Sequence, residues 1–461
     1  MNVISTFQAA GDGPFAVDEG VEAPAYSDED LALRVAGERA GDARYVAAWG
    51  RWYRLVGHKW AADVKLATLY AVRETCRQAA CGSSNPKEAL ALASYRTVSA
   101  VERLARCDPR LAATVDQWDA DPLLLNTPGG VVDLNQWTER PAVPEDYFTK
   151  STAVAPAASG VKPERWRSFL DEVTGGDAML ARHLQKIAGY CLSGDTSHHA
   201  IFFAYGTGAN GKSVFVNTLM GVLGDYATST PMETLMASKE DRHPTELADL
   251  RGARLVTSVE TEEGRRWAES RVKQLTGGDA IKARFMRQDF FEFRPQFKLL
   301  VAGNHKPALR GVDEAIRRRF QLLPFTVTIP PQERDPDLAE KLRSEWPAIL
   351  RWMIEGYDAF REEGLAPPPA VAAATAEYLE AEDAFGQWVE DCCERHGDAF
   401  EPTGTLYASW KSWATRHGEY VGPTKRFVQT LTSHGFEYRR TNAARGFRGL
   451  RVRALSVSDA E

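Results

Sequence analysis

The stretch that most restricts the fold is IFFAYGTGANGKSVFVNTLMGVLG, running from Ile201 to Gly224. An apolar run, Ile201 to Tyr205, meets Gly206-Thr207-Gly208-Ala209-Asn210-Gly211-Lys212-Ser213, which satisfies G-x-x-x-x-G-K-[ST] at each fixed position. Val214, Phe215, Leu219, Met220, Val222 and Leu223 then recur at helical spacing. The order is strand, glycine-rich loop, helix. Glycines let successive backbone N–H groups converge on a phosphate, and the following helix adds its positive N-terminal end. The loop from Gly206 to Ser213 is therefore expected to hold the phosphates of ATP, with Lys212 reaching the β- and γ-phosphates and Ser213 ligating Mg²⁺. A chance glycine turn would lack the strand before it and the helix after it.

At 461 residues the chain has room for about three domains. Its 44% hydrophobic and 26% charged residues are those of a globular protein. No apolar run approaches the roughly 20 residues that span a bilayer, and the N-terminus lacks the basic start and apolar centre of a signal peptide. A cytoplasmic protein without a membrane partner is expected. The six cysteines form no C-x-x-C pairs with partnering histidines, so neither a zinc site nor a disulfide framework is indicated. Charge is uneven within the net −7. Residues 1–30 carry seven acids and no Lys or Arg; Arg265 to Phe320 carries fourteen Lys/Arg against six acids, and Lys411 to Arg453 ten against two. Charge runs usually form solvated faces, yet two basic segments in an acidic chain point to a polyanion partner.

Residues 1–25 read as a disordered acidic tail. Residues 26–155 read as an N-terminal α+β domain: Ser27 caps a first helix, and YVAAWGRWYRLVGHKW suggests short strands around Gly57. Its aromatics, Tyr45, Trp49, Trp52, Tyr53 and Trp60, suit either a small core or base stacking. Residues 61–106 look helical, and Leu123 to Leu134 forms two strands around a Pro-Gly turn. A helical segment over 156–198 leads into a core over 199–330.

Arg254 to Glu260 is a buried-type strand ending in an acid. Glu260 is placed to hold Mg²⁺ through water and to polarise the attacking water, although Glu262 and Glu263 lie close behind and share the candidacy. After the helix end Val272 to Asp279, two alternating strands from Ile281 and to Phe293 form a hairpin carrying Lys282, Arg284 and, near its tip, Arg287. Phe297 to Gly303 is a third buried strand delivering Asn304, whose amide suits an attacking water or the γ-phosphate. Arg317-Arg318-Arg319 precedes an apolar strand, Phe320 to Phe325; these arginines are either a solvated patch or a finger completing a neighbouring subunit's site.

Residues 331–378 read as a helical segment, Asp337 to Phe360, and a linker marked by Pro367-Pro368-Pro369. Residues 379–455 read as three helices followed by two strands, a winged-helix pattern. Lys425 and Arg426 begin its recognition helix, and Arg445 and Arg448 lie in its wing. A winged helix that binds protein is the alternative to one that binds DNA.

The succession of GTGANGKS, strand–Glu260, KQLTGGDAIKARF, FKLLVAGNHKP and AIRRRFQLLPF resembles the superfamily 3 helicases, in the phage/plasmid primase-helicase branch related to the poxvirus primase-helicase. LLLNTPGGVVDL and LQKIAGYCLSGDTSHHAIFFAYGTGANGKS resemble the helical domain preceding the ATPase in that branch. The resemblance implies an AAA+-like α/β P-loop core flanked by a mainly helical N-terminal domain and a C-terminal winged helix. It makes Lys212 and Ser213 the Walker A pair, Glu260 Walker B, Asn304 sensor 1 and Arg318 or Arg319 the finger. Lys282 and Arg284 then lie on a DNA-facing hairpin. The implied activity is ATP-dependent unwinding of duplex DNA by a homo-hexameric ring translocating on single-stranded or forked DNA in a bacterial host, for a phage, prophage or plasmid. Two features depart from the family: Thr261 follows Glu260 where many members carry paired acids, and about 25 residues precede the first domain, so a helicase with a separate primase or origin-binding partner is expected. The rivals are an ATP-assembled DNA-binding regulator or defence ATPase, and a phosphoryl-transfer enzyme.

Overall fold

A computed structural model describes residues 23–238, 245–259, 265–285, 289–309, 311–440 and 444–453. Most of the expected acidic tail, together with Glu260, Glu262, Glu263 and Arg287, lies outside the described residues. The chain forms two compact units, divided between Thr152 and Ala153.

In the first unit Ser27 caps helix α1 (Asp28–Arg39) by accepting from Asp30 N–H. Strands β1 (Ala43–Val46), β2 (Arg51–Val56) and β3 (Lys59–Ala62) form an antiparallel sheet, with the turn at Gly57 in the left-handed region. Helices α2 (Ala67–Gly82), α3 (Pro86–Leu92) and α4 (Tyr95–Ala105) follow, and β4 (Ala112–Ala113) pairs parallel to β1. Leu31, Val35, Val72, Cys76 and Val101 pack with Trp52 into one core. Trp60 and Trp118, 1% and 6% exposed, centre a second, with Trp49, Tyr53 and Tyr147 against them. The aromatic group is thus core packing. Strands β5 (Leu124–Thr127), β6 (Gly130–Asp133) and β7 (Thr138–Arg140) form a meander whose first turn holds Pro128 and Gly129.

In the second unit α5 (Glu164–Thr174) and α6 (Ala178–Tyr190) precede β8 (Ile201–Tyr205) and α7 (Lys212–Leu223). A short β9 (Ala227–Ser229), α8 (Thr245–Ala248), β10 (Leu255–Val259) and α9 (Glu269–Thr276) come next. The hairpin pairs β11 (Ile281–Ala283) with β12 (Phe291–Phe293). Then come β13 (Lys298–Gly303), α10 (Glu314–Arg317) and β14 (Phe320–Pro324). The main sheet runs β14-β8-β13-β10-β9, all parallel. Its central strands β8 and β13 are apolar apart from the buried Lys298 that opens β13, as expected of a parallel sheet covered on its faces.

The segment over 331–378 differs from its reading as one helix and a linker. It holds α11 (Leu338–Ser344) and α12 (Trp346–Glu363), split where Pro347 starts a new helix, and then α13 (Pro369–Ala381). The proline run starts a helix too: Ala374, Tyr378 and Leu379 of α13 join the core with Trp267 and Phe320, and Trp267 Nε1 donates to Tyr378 Oη at 3.0 Å. Backbone approaches at Gly189 and Gly356 seat α6 on α12, since a Cβ on Gly189 would stand 2.1 Å from Tyr357 N.

The C-terminal region has α14 (Ala384–Cys392), β15 (Cys393–Pro402), α15 (Thr403–Arg416), α16 (Thr424–Ser433), β16 (Glu437–Arg440) and β17 (Arg445–Val452). Its sheet has three strands, β15-β17-β16, where the sequence suggested two. Trp388, Leu406, Phe427, Leu431 and Phe447 form its core.

Candidate phosphate-binding site

β8 delivers the loop at the C-terminal edge of the sheet. Tyr205, Gly303 and Pro324 lie at one level across β8, β13 and β14, so the loop begins where Asn304 leaves β13. Ligands of parallel α/β sheets bind at this edge. The loop geometry depends on its glycines. A Cβ on Gly206 would lie 2.0 Å from the Phe325 carbonyl oxygen, and Gly211 has φ +82° with Val173 Cγ1 2.4 Å from where a Cβ would stand. Ala209 also adopts a left-handed φ of 50°. Gly211 caps α7 without a side chain, leaving first-turn N–H groups free for an anion.

Asn210 is buried, and its Nδ2 donates to the Phe325 carbonyl at 2.7 Å, so its side chain ties the loop to the strand end. Lys212 Nζ donates to Gly206 O at 2.7 Å, Asn210 Oδ1 at 3.0 Å and Asn304 Oδ1 at 3.2 Å. Burial holds its ammonium below the ordinary lysine range. Three neutral acceptors satisfy the cation, and a phosphate could replace them with a charge-assisted contact. Thr207, Ser213 and Asn304 are exposed around it, and Gly208 has open space beside it. Lys306, which the sequence reading passed over, lies 4.3 Å over the Tyr205 ring beside this edge. Its place two residues after Asn304 was the available signal.

The arginine triplet stands at the other edge. Phe320 pairs at the level of Ile201, and Ile201 N–H donates to the Arg319 carbonyl at 2.8 Å. Five strand residues separate that level from the loop, about 16 Å at the usual rise. The three arginines are unlike one another. Arg317 pairs with Asp383 at 3.1 Å. Arg319 is buried, its Nε donating to Thr276 Oγ1 at 3.2 Å and its Nη1 to the Ala315 carbonyl at 2.7 Å. Arg318 is exposed, and beyond its backbone N–H, which donates to the Glu314 carbonyl at 3.1 Å, its side chain makes no hydrogen bond or ion pair among the described residues. The expectation that Arg319 could serve as a finger therefore fails for a physical reason: its guanidinium is spent inside the fold.

Ile281 and Ala283 anchor the hairpin in the core, turning Lys282 outward. Lys282 faces Glu292 across the strands at 3.5 Å, both well exposed, and Arg284 lies 4.8 Å over the Phe290 ring. In the C-terminal region Lys425 and Arg426 are exposed at the start of α16. A cleft of about 380 Å³ at the other end of that helix is lined by Arg395, His434 and Arg448.

Residues 32–175 match the family described as D5 N terminal like, and residues 204–319 match a family of unknown function, DUF5906. A putative helicase of Acanthamoeba polyphaga mimivirus is 24% identical over 352 residues, covering 71% of this chain and 36% of that protein. A putative helicase of Frog virus 3 is 26% identical over 278 residues, 55% of this chain and 29% of that one. The chain thus spans about a third of the length of these curated relatives. The apo structure of the NrS-1 C terminal region superposes with a TM-score of 0.54 at 10% identity, covering 92% of this chain and 99% of that one, a likeness of fold. Fold and site define a mixed α/β protein built on a parallel sheet with a glycine-rich loop at its edge. Within that class, the chain is similar over its first third to the D5 N terminal like family and, at 24–26% identity, to putative helicases of large viruses.

Proposed function

We propose that the chain is the ATP-driven motor of a replicative DNA helicase, from a phage, prophage or plasmid, that works as a homo-oligomeric ring, a hexamer by its family resemblance. The observation that carries this reading is the division of one sheet into a glycine-rich loop at its C-terminal edge and, at the opposite edge, an exposed arginine whose side chain has no partner among the described residues. A gap of about 16 Å prevents Arg318 from reaching the loop of its own chain, so its role lies with a neighbouring copy. The residues fit a nucleoside triphosphate: Gly206 lets the loop pack against the end of β14, Gly208 leaves the phosphates room, α7 offers uncapped N–H groups, and Lys212 supplies the cation. Ser213, exposed in the first turn, would hold Mg²⁺, which neutralises charge on the transferred phosphoryl group. Lys212 steadies the β- and γ-phosphates, Asn304 orients the attacking water, and Glu260 remains the proposed base.

Arg318 of the next copy then meets the charge that develops on the γ-phosphate. Lys282 and Arg284 are proposed to touch strand phosphates from the hairpin. The C-terminal three-helix, three-stranded unit reads as a winged helix presenting Lys425 and Arg426 to DNA. The exposed hairpin cations favour this reading over an ATP-assembled regulator. Strand displacement on forked DNA, with each polarity of tail, tests it. The parent should unwind one polarity with ATP, and Lys212→Ala, an edge residue outside the main core, should fold normally and hydrolyse nothing. Hydrolysis without displacement would favour the regulator, and transfer of labelled phosphate to an acceptor would favour a kinase.

A further inference from the structure

Asp383 joins three elements that the sequence keeps far apart. It is the N-cap of α14, where Oδ1 accepts from Gly386 N–H at 2.9 Å. Its Oδ2 accepts from Arg317 Nη2 at 3.1 Å, at the end of α10. The same oxygen lies 3.5 Å from His434 Nε2, the residue that follows α16. His434 Nδ1 donates to the Thr430 carbonyl at 2.9 Å, and its ring packs on Phe385 with centroids 4.5 Å apart. With a carbonyl on one ring nitrogen and a carboxylate on the other, both contacts favour the protonated imidazole, which can donate from each nitrogen. A largely buried carboxylate is thereby held between two cations from different elements, and removing its charge would leave both without their partner.

The rest of α10 is fixed by independent anchors. Asp313, its N-cap, pairs with Lys273 of α9 at 2.5 Å, and Arg319 is held by Thr276 at the end of α9. Arg318 lies between the residue tied to α9 and the residue tied to Asp383. Lys425 and Arg426 stand some nine residues before His434 along α16, about 13 Å away. A displacement of α16 or α14 is therefore delivered through Asp383 to Arg317, and the peptide that follows Arg317 is that of Arg318.

We propose that Asp383 is a positioning residue: by holding Arg317 and His434 together it sets where Arg318 stands, and it passes DNA engagement of the C-terminal region to the arginine that serves a neighbouring copy's phosphate site. The role of Arg318 in this inference rests on the proposed function; the hold by Asp383 does not.

Asp383→Asn is the informative change, since asparagine caps helices as well as aspartate and the α14 cap survives while the charge is lost. In the full chain, kcat for ATP hydrolysis should fall on the order of tenfold, the size of a typical coupling between sites. KM for ATP and the affinity for single-stranded DNA should stay at parent values, and stimulation of hydrolysis by DNA should disappear. Arg317→Gln should reproduce this phenotype, the double variant should lose no more than either single one, and Asp383→Glu should recover part of the rate. Parent-like kcat and stimulation in Asp383→Asn, or losses that add in the double variant, would overturn the inference. Hydrogen exchange separates it from the functional reading. If the parent hydrolyses no ATP, that reading falls, but residues 313–319 should still exchange on the order of tenfold faster in Asp383→Asn, with 201–205 unchanged. Unchanged protection at 313–319 would refute the hold itself.

Discussion

Replacing Arg318 and Arg319 by alanine, one at a time, should produce opposite defects although the residues are adjacent and identical. Arg319 donates to Thr276 Oγ1, whose own proton goes to the Val272 carbonyl at 2.7 Å, and to the Ala315 carbonyl. Arg319→Ala empties a buried volume and leaves acceptors on two elements without a donor, a loss of about 2–4 kcal/mol. That should lower Tm by roughly 4 °C or more in differential scanning calorimetry. The Arg318 side chain is exposed and gives up no hydrogen bond or ion pair among the described residues, so Arg318→Ala should change stability by less than about 0.5 kcal/mol. Its effect should fall on turnover: kcat drops on the order of a thousandfold with nucleotide affinity retained, as expected for an arginine supplied to a phosphoryl group across a subunit boundary. Mixing Arg318→Ala with Lys212→Ala protein should restore activity, because a site whose loop and arginine come from different copies is whole whenever neither contributing copy lacks its part. Random mixing at equal amounts makes about a quarter of the sites competent in a closed heterologous ring. Full turnover by Arg318→Ala, an unchanged Tm for Arg319→Ala, or no rescue in rings shown by native mass spectrometry to mix would refute the division of roles.

Lys282→Ala with Arg284→Ala should leave basal hydrolysis intact and abolish unwinding, lowering single-strand affinity for any sequence and flattening its salt dependence; parent-like unwinding would move the DNA contact to the C-terminal region. The hydrogen bond to Asp383 raises the His434 imidazole above its ordinary 6.5, and burial opposes it less. A raised folded value stabilises fully below about pH 6.5 and is lost as pH rises through that folded value, so unfolding midpoints should decline from there toward pH 8. Asp383, Arg317, Arg395, Arg448 and Glu437 are the charged groups around the ring, and Asp383 is held below the ordinary carboxylate range, its burial being outweighed by its hydrogen bonds with His434 and Gly386. His434→Gln should flatten the decline, and an unchanged slope would refute the assignment.

The loop, Asn304 and the hairpin were legible because each rests on a local pattern: fixed glycines, an apolar strand with a polar end, and two alternating runs about a turn. Elements whose residues gain their reason only from distant partners were not. β9 is three residues, Ala-Thr-Ser, with no apolar period, and it exists as an edge because Leu255 to Thr257 pair with it. β15 reads CERHGDAFEP, a charged strand whose register with β17 shifts between His396 and Phe400, so no alternation marks it. In α13 the proline run resembles a linker, yet proline suits the first turn of a helix as well as a spacer. The choice was made by Tyr378, which reaches Trp267 more than a hundred residues away. The arginine triplet shows the limit most clearly, since three identical neighbours carry no sequence signal for which side chain is spent on Asp383, which on Thr276 and which has no partner among the described residues.

Thr276 also explains why the hairpin and the arginine could respond together. It closes α9, accepts Arg319 through its hydroxyl, and through its carbonyl accepts from His199 Nδ1 at 2.7 Å, just before β8. Five residues later Ile281 begins the hairpin and is buried with Leu275 of the same helix end. The turn between them, Gly277 and the left-handed Gly278, is too short to absorb a large displacement of one without the other. A shift of α9 relative to β8 would therefore move the outward Lys282 and the Arg319 anchor in concert, while Asp313 and Lys273 hold α10 to the same helix. Spatial adjacency alone would not establish coupling. Here the shared part is a single helix end with a contact to each side, so the hairpin and the arginine edge rest on one anchor, and Asp383 ties the C-terminal region to α10 at Arg317.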